Sequence, residues 1–333
     1  MNFWPKSRFS GLRWLVRLRQ FYAQKWFMPG LTGVLLLLAV LAIHHMLHEV
    51  SLHELWQGLQ AIPLHNLLLS VLFMFMSYLF MIGYDASALF YLKKRLPWRT
   101  VALGGFVGYA FSNTVGMALV SGASIRYRIY VAAGLTPMDI AKIAAFCALA
   151  YAAGAQLVAA AGLAWQPDLL ADRLSIPPEF LRGLGIAALV LALAVLLWLI
   201  PRPRQIKLGR WQFDVPGWRL SLTLLLITAL DVLFSIACLH ALLPPGSVPF
   251  GTLIVVFILA AALGVASNVP AGLGVFEAVM IAALSEHIDV AQLMVALVLF
   301  RVIYYLLPLS LAAILLGMRE VMLMAREASS ESD

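Results

Sequence analysis

The residues best suited to chemistry are charged side chains placed inside long apolar segments. These residues are Asp85, Arg126, Asp231, Glu277 and Arg301. Burying such a side chain in the middle of a membrane costs on the order of 2.5–3.5 kcal/mol on insertion scales, so each needs a partner or a function. They could pair with one another and hold the protein together, or they could contact a charged head group or a proton. Both interpretations stay open, because a paired charge can be exchanged for a ligand.

Glu277 follows a stretch that interrupts an apolar segment with helix-breaking residues. The apolar runs on either side, 251–266 and 275–284, are each shorter than the roughly 20 residues that a helix needs to cross a bilayer. The pattern predicts a re-entrant hairpin with a non-helical turn over 266–274. Irregular backbone at this depth requires surrounding protein or a water-filled cavity. The predicted turn residues are Asn268, Pro270, Gly272 and Gly274.

Arg126 lies in a second stretch of similar character, Ser121-Gly-Ala-Ser-Ile-Arg-Tyr-Arg128. Here the sequence predicts another hairpin, with a non-helical turn over 112–124 that includes Gly122 and Ser124. Opposed hairpins would bring both turns, and the charges just after them, into one polar cavity near the midplane. The candidate substrate-binding residues are Arg126, Glu277, Arg301, Asp231, Asp85 and the two tyrosines next to charged positions, Tyr84 and Tyr127.

The composition identifies the protein class. With 63% hydrophobic and only 12% charged residues, the chain of 333 residues is an integral polytopic membrane protein. The net charge of +7 comes from short basic segments between apolar spans, which indicates membrane topology and not nucleic-acid binding. Residues 1–28 are basic and amphipathic, and we expect them to lie on the cytoplasmic surface.

The distribution of basic residues predicts the topology. Basic clusters at 93–99 and 201–219 stay on the cytoplasmic side only if 101–134 enters the membrane and returns. Both termini are then cytoplasmic, with a polar tail at 321–333 that ends a transmembrane domain over 29–320. The predicted full spans are 31–47, 67–92, 139–163, 181–200, 220–243 and 290–317.

This order predicts an all-α fold built from an inverted-topology repeat, with halves at about 30–164 and 180–317, six full spans and two opposed re-entrant hairpins. Gly122 and Gly272 are 150 residues apart, as are Asp139 and Asp289. Such repeats place a transport site at the bilayer midplane. The histidines offer no convincing metal set, and the sequence contains no catalytic or phosphate-binding motif, so we expect no metal, no cofactor and no enzymatic activity.

Four motifs resemble the transmembrane flippase domain of lysylphosphatidylglycerol synthases. They are Gly108-Tyr-Ala-Phe111, Gly122-Ala-Ser-Ile-Arg-Tyr-Arg-Ile-Tyr130, Val269-Pro-Ala-Gly-Leu-Gly-Val-Phe-Glu277 and Arg301-Val-Ile-Tyr-Tyr-Leu-Leu-Pro308. The resemblance covers residues 30–320 and is closest to stand-alone members of the bacterial inner membrane. It implies movement of a phospholipid across that membrane, without the lipid-synthesising domain of the fused members. It also implies that Asp85, Arg126, Glu277 and Arg301 serve the family's function.

The resulting hypothesis is a non-enzymatic phospholipid translocase, in which a head group passes through a polar cavity while its tails stay in the bilayer. Arg126 and Arg301 would meet phosphate, and Glu277 with Asp231 or Asp85 would balance those charges. A membrane scaffold for a separate lipid-synthesising enzyme and a small-solute exporter are the alternatives. The expected partners are phospholipid and the membrane, with such an enzyme and a second copy of the chain as further candidates, but no nucleic acid.

Overall fold

The structure, a computed structural model, describes Leu37 and residues 62–115, 118–199, 204–208, 211–267 and 269–330. The predicted interfacial segment at 1–28 and the first predicted span at 31–47 therefore lie outside the described residues, apart from Leu37. Asn268, one of the predicted turn residues, also lies outside them.

Five helical segments of the described chain are long and apolar enough to cross a membrane. They confirm the other five predicted spans and the all-α polytopic class. The five are α1 (Leu64–Tyr91), α4 (Pro137–Trp165), α6 (Pro178–Leu199), α7 (Trp218–His240) and the run Val290–Leu323. That last run contains α10 (Val290–Phe300), a π-helical turn (Arg301–Leu306) and the first part of α11 (Leu307–Ser330). Because α11 continues to Ser330, most of the predicted tail at 321–333 is helical.

The first hairpin consists of α2 (Trp98–Val115) and α3 (Ala118–Val131). The prediction of a non-helical turn over 112–124 is wrong, because both helices extend into that range and leave only 116–117 between them. Gly122 and Ser124 are helical residues of α3. Gly122 permits close packing, since a Cβ atom there would lie 2.0 Å from Ser112 Oγ on α2. Its small size therefore reflects helix contact and not a turn.

The second hairpin consists of α8 (Phe250–Ala266) and α9 (Val275–Leu284), and it confirms the predicted break at 266–274. A single 3₁₀ turn, Pro270–Gly272, lies between the helices. Gly272 has a φ of +62° and Gly274 a φ of +77°, and such angles favour glycine. Gly272 also packs on the backbone of Gly264, because a Cβ atom built on Gly272 would lie 2.9 Å from the Cα atom of Gly264. These glycines make the turn as the sequence predicts.

Helix packing brings the two hairpins together. The 3₁₀ turn of the second hairpin contacts α2 of the first, and α1 packs along α7. Over the described residues the helix order agrees with the predicted repeat, and the helix starts are offset by more than 150. The start of α7 follows that of α1 by 154 residues (218 against 64), and the start of α10 follows that of α4 by 153 (290 against 137).

The offset between helix starts bears on the matched pair Asp139 and Asp289. Thr136 is the N-cap of α4, where it forms a reciprocal capping box with Asp139. Asp289, in contrast, is itself the N-cap of α10. By the starts of α4 and α10, the residue at the position of Asp289 is therefore Thr136 and not Asp139.

Two small elements lie in the connections and were not predicted. A short helix, α5 (Asp168–Leu174), precedes α6. Within the basic loop at 201–219, β1 (Arg204–Leu208) pairs with β2 (Trp211–Val215) as an antiparallel hairpin. The loop between α6 and α7 therefore has regular structure of its own.

Candidate functional site

The first buried ion pair joins the first hairpin to α1. Asp85, near the end of α1, is fully buried, and Arg126 on α3 is 3% exposed. Arg126 Nε lies 3.1 and 3.0 Å from the two carboxylate oxygens, and its Nη2 lies 2.9 Å from Oδ1. The hydroxyl of Tyr130 also donates to Asp85, and the guanidinium stacks over the ring of Tyr109 at 4.5 Å. These contacts compensate for the burial of both charges.

Glycines on α2 create the space for this cluster. A Cβ atom at Gly104 would lie 2.3 Å from the ring of Tyr130, and one at Gly108 would lie 3.4 Å from Cζ of Arg126. Small residues commonly allow membrane helices to approach closely. Here they let α2 lie directly against the side chains that bind Asp85.

The second ion pair is built into the broken turn of the second hairpin. Glu277, in the first turn of α9, accepts from the backbone N–H of Gly274 at 2.9 Å and from Arg301 Nε at 2.6 Å. Arg301 opens the π-helical turn, and its two Nη atoms donate to the carbonyls of Ala271 and Gly272. The guanidinium therefore binds both the carboxylate and the left-handed backbone of the turn. The side chain of Glu277 keeps 19% of its surface exposed.

A third cluster contains a carboxylate with hydroxyl partners. Asp231 on α7 is 1% exposed. Its two oxygens accept from Ser77 Oγ at 2.6 Å and from Tyr84 OH at 3.0 Å, both on α1. Ser77 Oγ also lies 2.7 Å from the hydroxyl of Tyr304 in the π-helical turn. Hydroxyl groups thus connect α1, α7 and the segment that carries Arg301.

The polar contacts between α1 and α7 follow a seven-residue spacing along α1. Ser70, Ser77 and Tyr84 each point to α7, and Ser70 donates to the carbonyl of Cys238 at 2.9 Å. Residues seven apart share one face of a helix. This spacing is the sequence signal that could have identified Ser77. Tyr130 could have been identified by a four-residue spacing, because it lies one helical turn after Arg126 and so on the same face of α3.

The structure brings six of the seven predicted substrate-binding residues together in pairs. Arg126 binds Asp85, Arg301 binds Glu277, and Tyr84 binds Asp231. Arg126 and Glu277 do not bind each other, although both follow the hairpin turns in sequence. Tyr127 is half-buried on α3, next to Arg126 in sequence. Whether any of these residues binds a substrate stays a prediction.

A further buried ion pair lies away from the hairpin turns. Arg128 on α3 donates to Glu320 on α11 at 2.6 Å, and Arg319 approaches the same carboxylate at 3.4 Å. A cleft of about 570 Å³ lies beside this group. Its lining is mostly apolar, with Ile129 and Met318 next to Arg99 and Arg319. The pair connects a helix of the first predicted half to the helix that ends the second.

Comparison with known proteins supports the resemblance found in the motifs. Residues 30–312 match the family described as the lysylphosphatidylglycerol synthase TM region. "Uncharacterized protein slr0712" of Synechocystis sp. is 33% identical over 306 residues, which cover 91% of this chain and 95% of that protein. "Inner membrane protein YbhN" of Escherichia coli is 32% identical over 289 residues, which cover 85% and 87% of the two chains.

Proposed function

Because the chain belongs to the family of the lysylphosphatidylglycerol synthase transmembrane region, we propose that this multi-pass membrane protein is a phospholipid translocase. A lipid head group crosses the inner membrane through the polar interior, while the acyl chains remain in the bilayer. The observation that carries the proposal is the Glu277–Arg301 pair, which lies where the second hairpin is unwound. Discontinuous helices of this kind form substrate sites in many transporters.

The chemistry of the pair suits a phospholipid. A guanidinium binds phosphate oxygens in the same forked geometry in which it binds a carboxylate. A phosphate could therefore take the place of Glu277 on Arg301, and a cationic part of the head group could bind the carboxylate that is released. Exchange of partners matters because a buried charge left alone is strongly destabilising.

Exposure distinguishes this pair from the Asp85–Arg126 pair of the first hairpin. The side chain of Glu277 is 19% exposed, whereas that of Asp85 is 0% exposed. Asp85 is also bound by both Arg126 and Tyr130. A ligand can reach the Glu277–Arg301 pair with less rearrangement, so we assign head-group contact to that pair and a clamping role to Asp85 and Arg126.

Reconstitution tests the proposal. The purified protein is placed in liposomes that contain a fluorescent phospholipid, and a membrane-impermeant reductant destroys the dye in the outer leaflet. With the wild type, a second phase of bleaching should follow, because labelled lipid from the inner leaflet moves to the outer leaflet and is then reduced. Arg301→Gln and Glu277→Gln should slow this second phase, and Lys94→Gln should not, since Lys94 lies outside the second hairpin and its side chain is exposed in its ion pair with Asp139. Absence of lipid transfer by the wild type, across zwitterionic, anionic and aminoacylated phospholipids, would contradict the proposal.

A further inference from the structure

Asp231 differs from the other buried acids in the part of the chain that the structure describes. Asp85, Asp139 and Glu320 are also buried, and each forms an ion pair with a lysine or arginine. Asp231 has only the neutral hydroxyl groups of Ser77 and Tyr84, and none of the described lysines and arginines forms an ion pair with it. An ionised carboxylate in this setting is costly, whereas a protonated one is not.

The other ionisable groups around Asp231 are tyrosines. Tyr78 and Tyr84 on α1, Tyr151 on α4 and Tyr304 in the π-helical turn interact electrostatically with it. Helices α8 and α10, which also pack on α7, contain no ionisable residue, and α6 contributes only Glu179 and Arg182, both exposed. Tyrosine hydroxyls do not ionise near neutral pH. Asp231 is therefore the group of this cluster that can bind and release a proton.

The hydroxyl groups of Ser77 and Tyr304 offer a path for a proton from Asp231 to the π-helical turn. Ser77 Oγ contacts both Asp231 and the Tyr304 hydroxyl, and in the Ser77–Tyr304 bond either oxygen can donate. A protonated Asp231 can thus donate to Ser77, which in turn donates to Tyr304. Tyr304 lies three residues after Arg301, in the same π-helical turn. Inserted turns of this type often occur at functional sites.

We propose that Asp231 is the proton-binding site that couples lipid translocation to a proton gradient. Protonation of the carboxylate makes it neutral and stabilises the observed packing of α1 on α7. Release of the proton leaves a buried negative charge, which favours an arrangement in which water reaches the α1–α7 contact. The shift moves Tyr304, and with it the arginine that holds the second hairpin's turn. This coupling rests on the proposed translocase function.

Infrared titration tests proton binding without any transport. The wild type should show the carbonyl band of a protonated carboxylic acid that disappears as the pH rises, and Asp231→Asn should lack that band. The asparagine can accept from one of the two hydroxyl groups through Oδ1 and donate to the oxygen of the other through Nδ2, so the variant is expected to fold. Glu320→Gln is the matched control, because its carboxylate is already paired with Arg128. A wild-type titration that survives in Asp231→Asn, or no titrating band, would overturn the proposal.

Transport in liposomes tests the coupling. With one proton moved per lipid and no membrane potential, a gradient of about one pH unit should shift the distribution of lipid between leaflets about tenfold. Asp231→Asn should give equal distributions with and without the gradient. If the wild type transfers lipid but the pH gradient does not change the lipid distribution, the coupling is overturned and the translocase function stands. If the wild type moves no lipid at all, the translocase function fails, and the infrared titration alone decides the proton site.

Discussion

Ser77 and Asp231 join the two predicted halves of the protein through a hydrogen bond of 2.6 Å between α1 and α7. The two buried ion pairs at the hairpins lie within the halves, Asp85 with Arg126 in the first and Glu277 with Arg301 in the second. These two ion pairs fix each hairpin to its own half, whereas the central contact between the halves uses neutral donors. Among the described residues, the charged contact that does join the halves, Arg128 with Glu320, lies away from the hairpin turns. This arrangement suits relative movement of the two halves, which is how repeat transporters expose a central site alternately.

Neutralising either member of the Asp85–Arg126 pair should reduce folded protein. Arg126→Gln or Asp85→Asn leaves the other charge buried and unpaired, which typically costs about 3–5 kcal/mol. The double variant should recover part of the lost folded protein, because no unpaired buried charge remains. Detergent-stable, monodisperse protein measured by size-exclusion chromatography checks the expectation.

Lys94→Gln is the control for that series. Lys94 is 43% exposed in its ion pair with Asp139, and exposed pairs contribute about 0–1 kcal/mol. Its yield should match the wild type. If Arg126→Gln were as abundant and stable as Lys94→Gln, the clamping role of the first pair would be wrong.

Glu277→Gln should separate activity from folding. Glutamine is nearly the same size, and its single carbonyl oxygen can replace one of the two carboxylate acceptors, either for the N–H of Gly274 or for Arg301. Arg301 keeps its bonds to the carbonyls of Ala271 and Gly272, so the turn should persist. Loss of a charge-assisted contact costs about 1.5–3 kcal/mol, and we expect lipid transfer to slow roughly tenfold to hundredfold. Stopped-flow bleaching of reconstituted protein measures the rate. Unchanged transfer with normal protein would remove Glu277 from the head-group site.

Gly272→Ala should destabilise the second hairpin. The added Cβ would lie 2.9 Å from Gly264 Cα, and the φ of +62° disfavours side chains. We expect a loss of about 1–3 kcal/mol, visible as a lower unfolding temperature in detergent. Gly183→Ala is the matched control, since nothing lies within 4 Å of a Cβ there and the residue is inside α6. That variant should be neutral or more stable by up to about 1 kcal/mol; equal effects of the two substitutions would contradict the packing argument.

The predicted orientation places both termini and the loop at 201–219 in the cytoplasm. Gln205 lies in β1 of the hairpin within that loop. A single cysteine at Gln205 should react with a membrane-impermeant maleimide in inverted vesicles and not in intact cells. Labelling of this cysteine from outside intact cells would show that the predicted orientation is wrong. A cysteine at Ser247, in the loop between α7 and α8, should show the opposite pattern.

Local sequence features predicted the spans and one of the two turns. Hydropathy located the five spans because each needs about 20 apolar residues. Pro270 and Gly272 marked a real turn, whereas Gly122 has a similar sequence context but serves helix packing. Glycine supports both roles, and only the position of Ser112 on the neighbouring helix distinguishes them.

The ion-pair partners could not be predicted from the sequence. Arg126 is 41 residues from Asp85, and Ser77 is 154 residues from Asp231. Which charges meet across such distances depends on helix rotation and crossing, and apolar periodicity is weak in helices that face lipid on one side and protein on the other. The sequence therefore predicted which residues are costly to bury but not their partners.

Glu320→Gln should open the end of the protein that carries Arg128. In the structure the carboxylate lies 2.6 Å from Arg128 and 3.4 Å from Arg319, so it separates two cations on different helices. Without it, α3 and α11 lose their ion pair and the two arginines repel each other. Ile129, which borders the adjacent cleft and is 1% exposed, should then become accessible.

Labelling of a cysteine at Ile129, with Cys147 and Cys238 replaced by alanine, measures this opening. We expect the reaction with a soluble maleimide to be roughly tenfold faster in Glu320→Gln, which corresponds to a shift of about 1.4 kcal/mol towards the open arrangement. Glu179→Gln, a substitution of an exposed acid on α6, is the control and should leave the rate unchanged. Equal rates in the two variants would show that the Arg128–Glu320 pair does not hold this end closed.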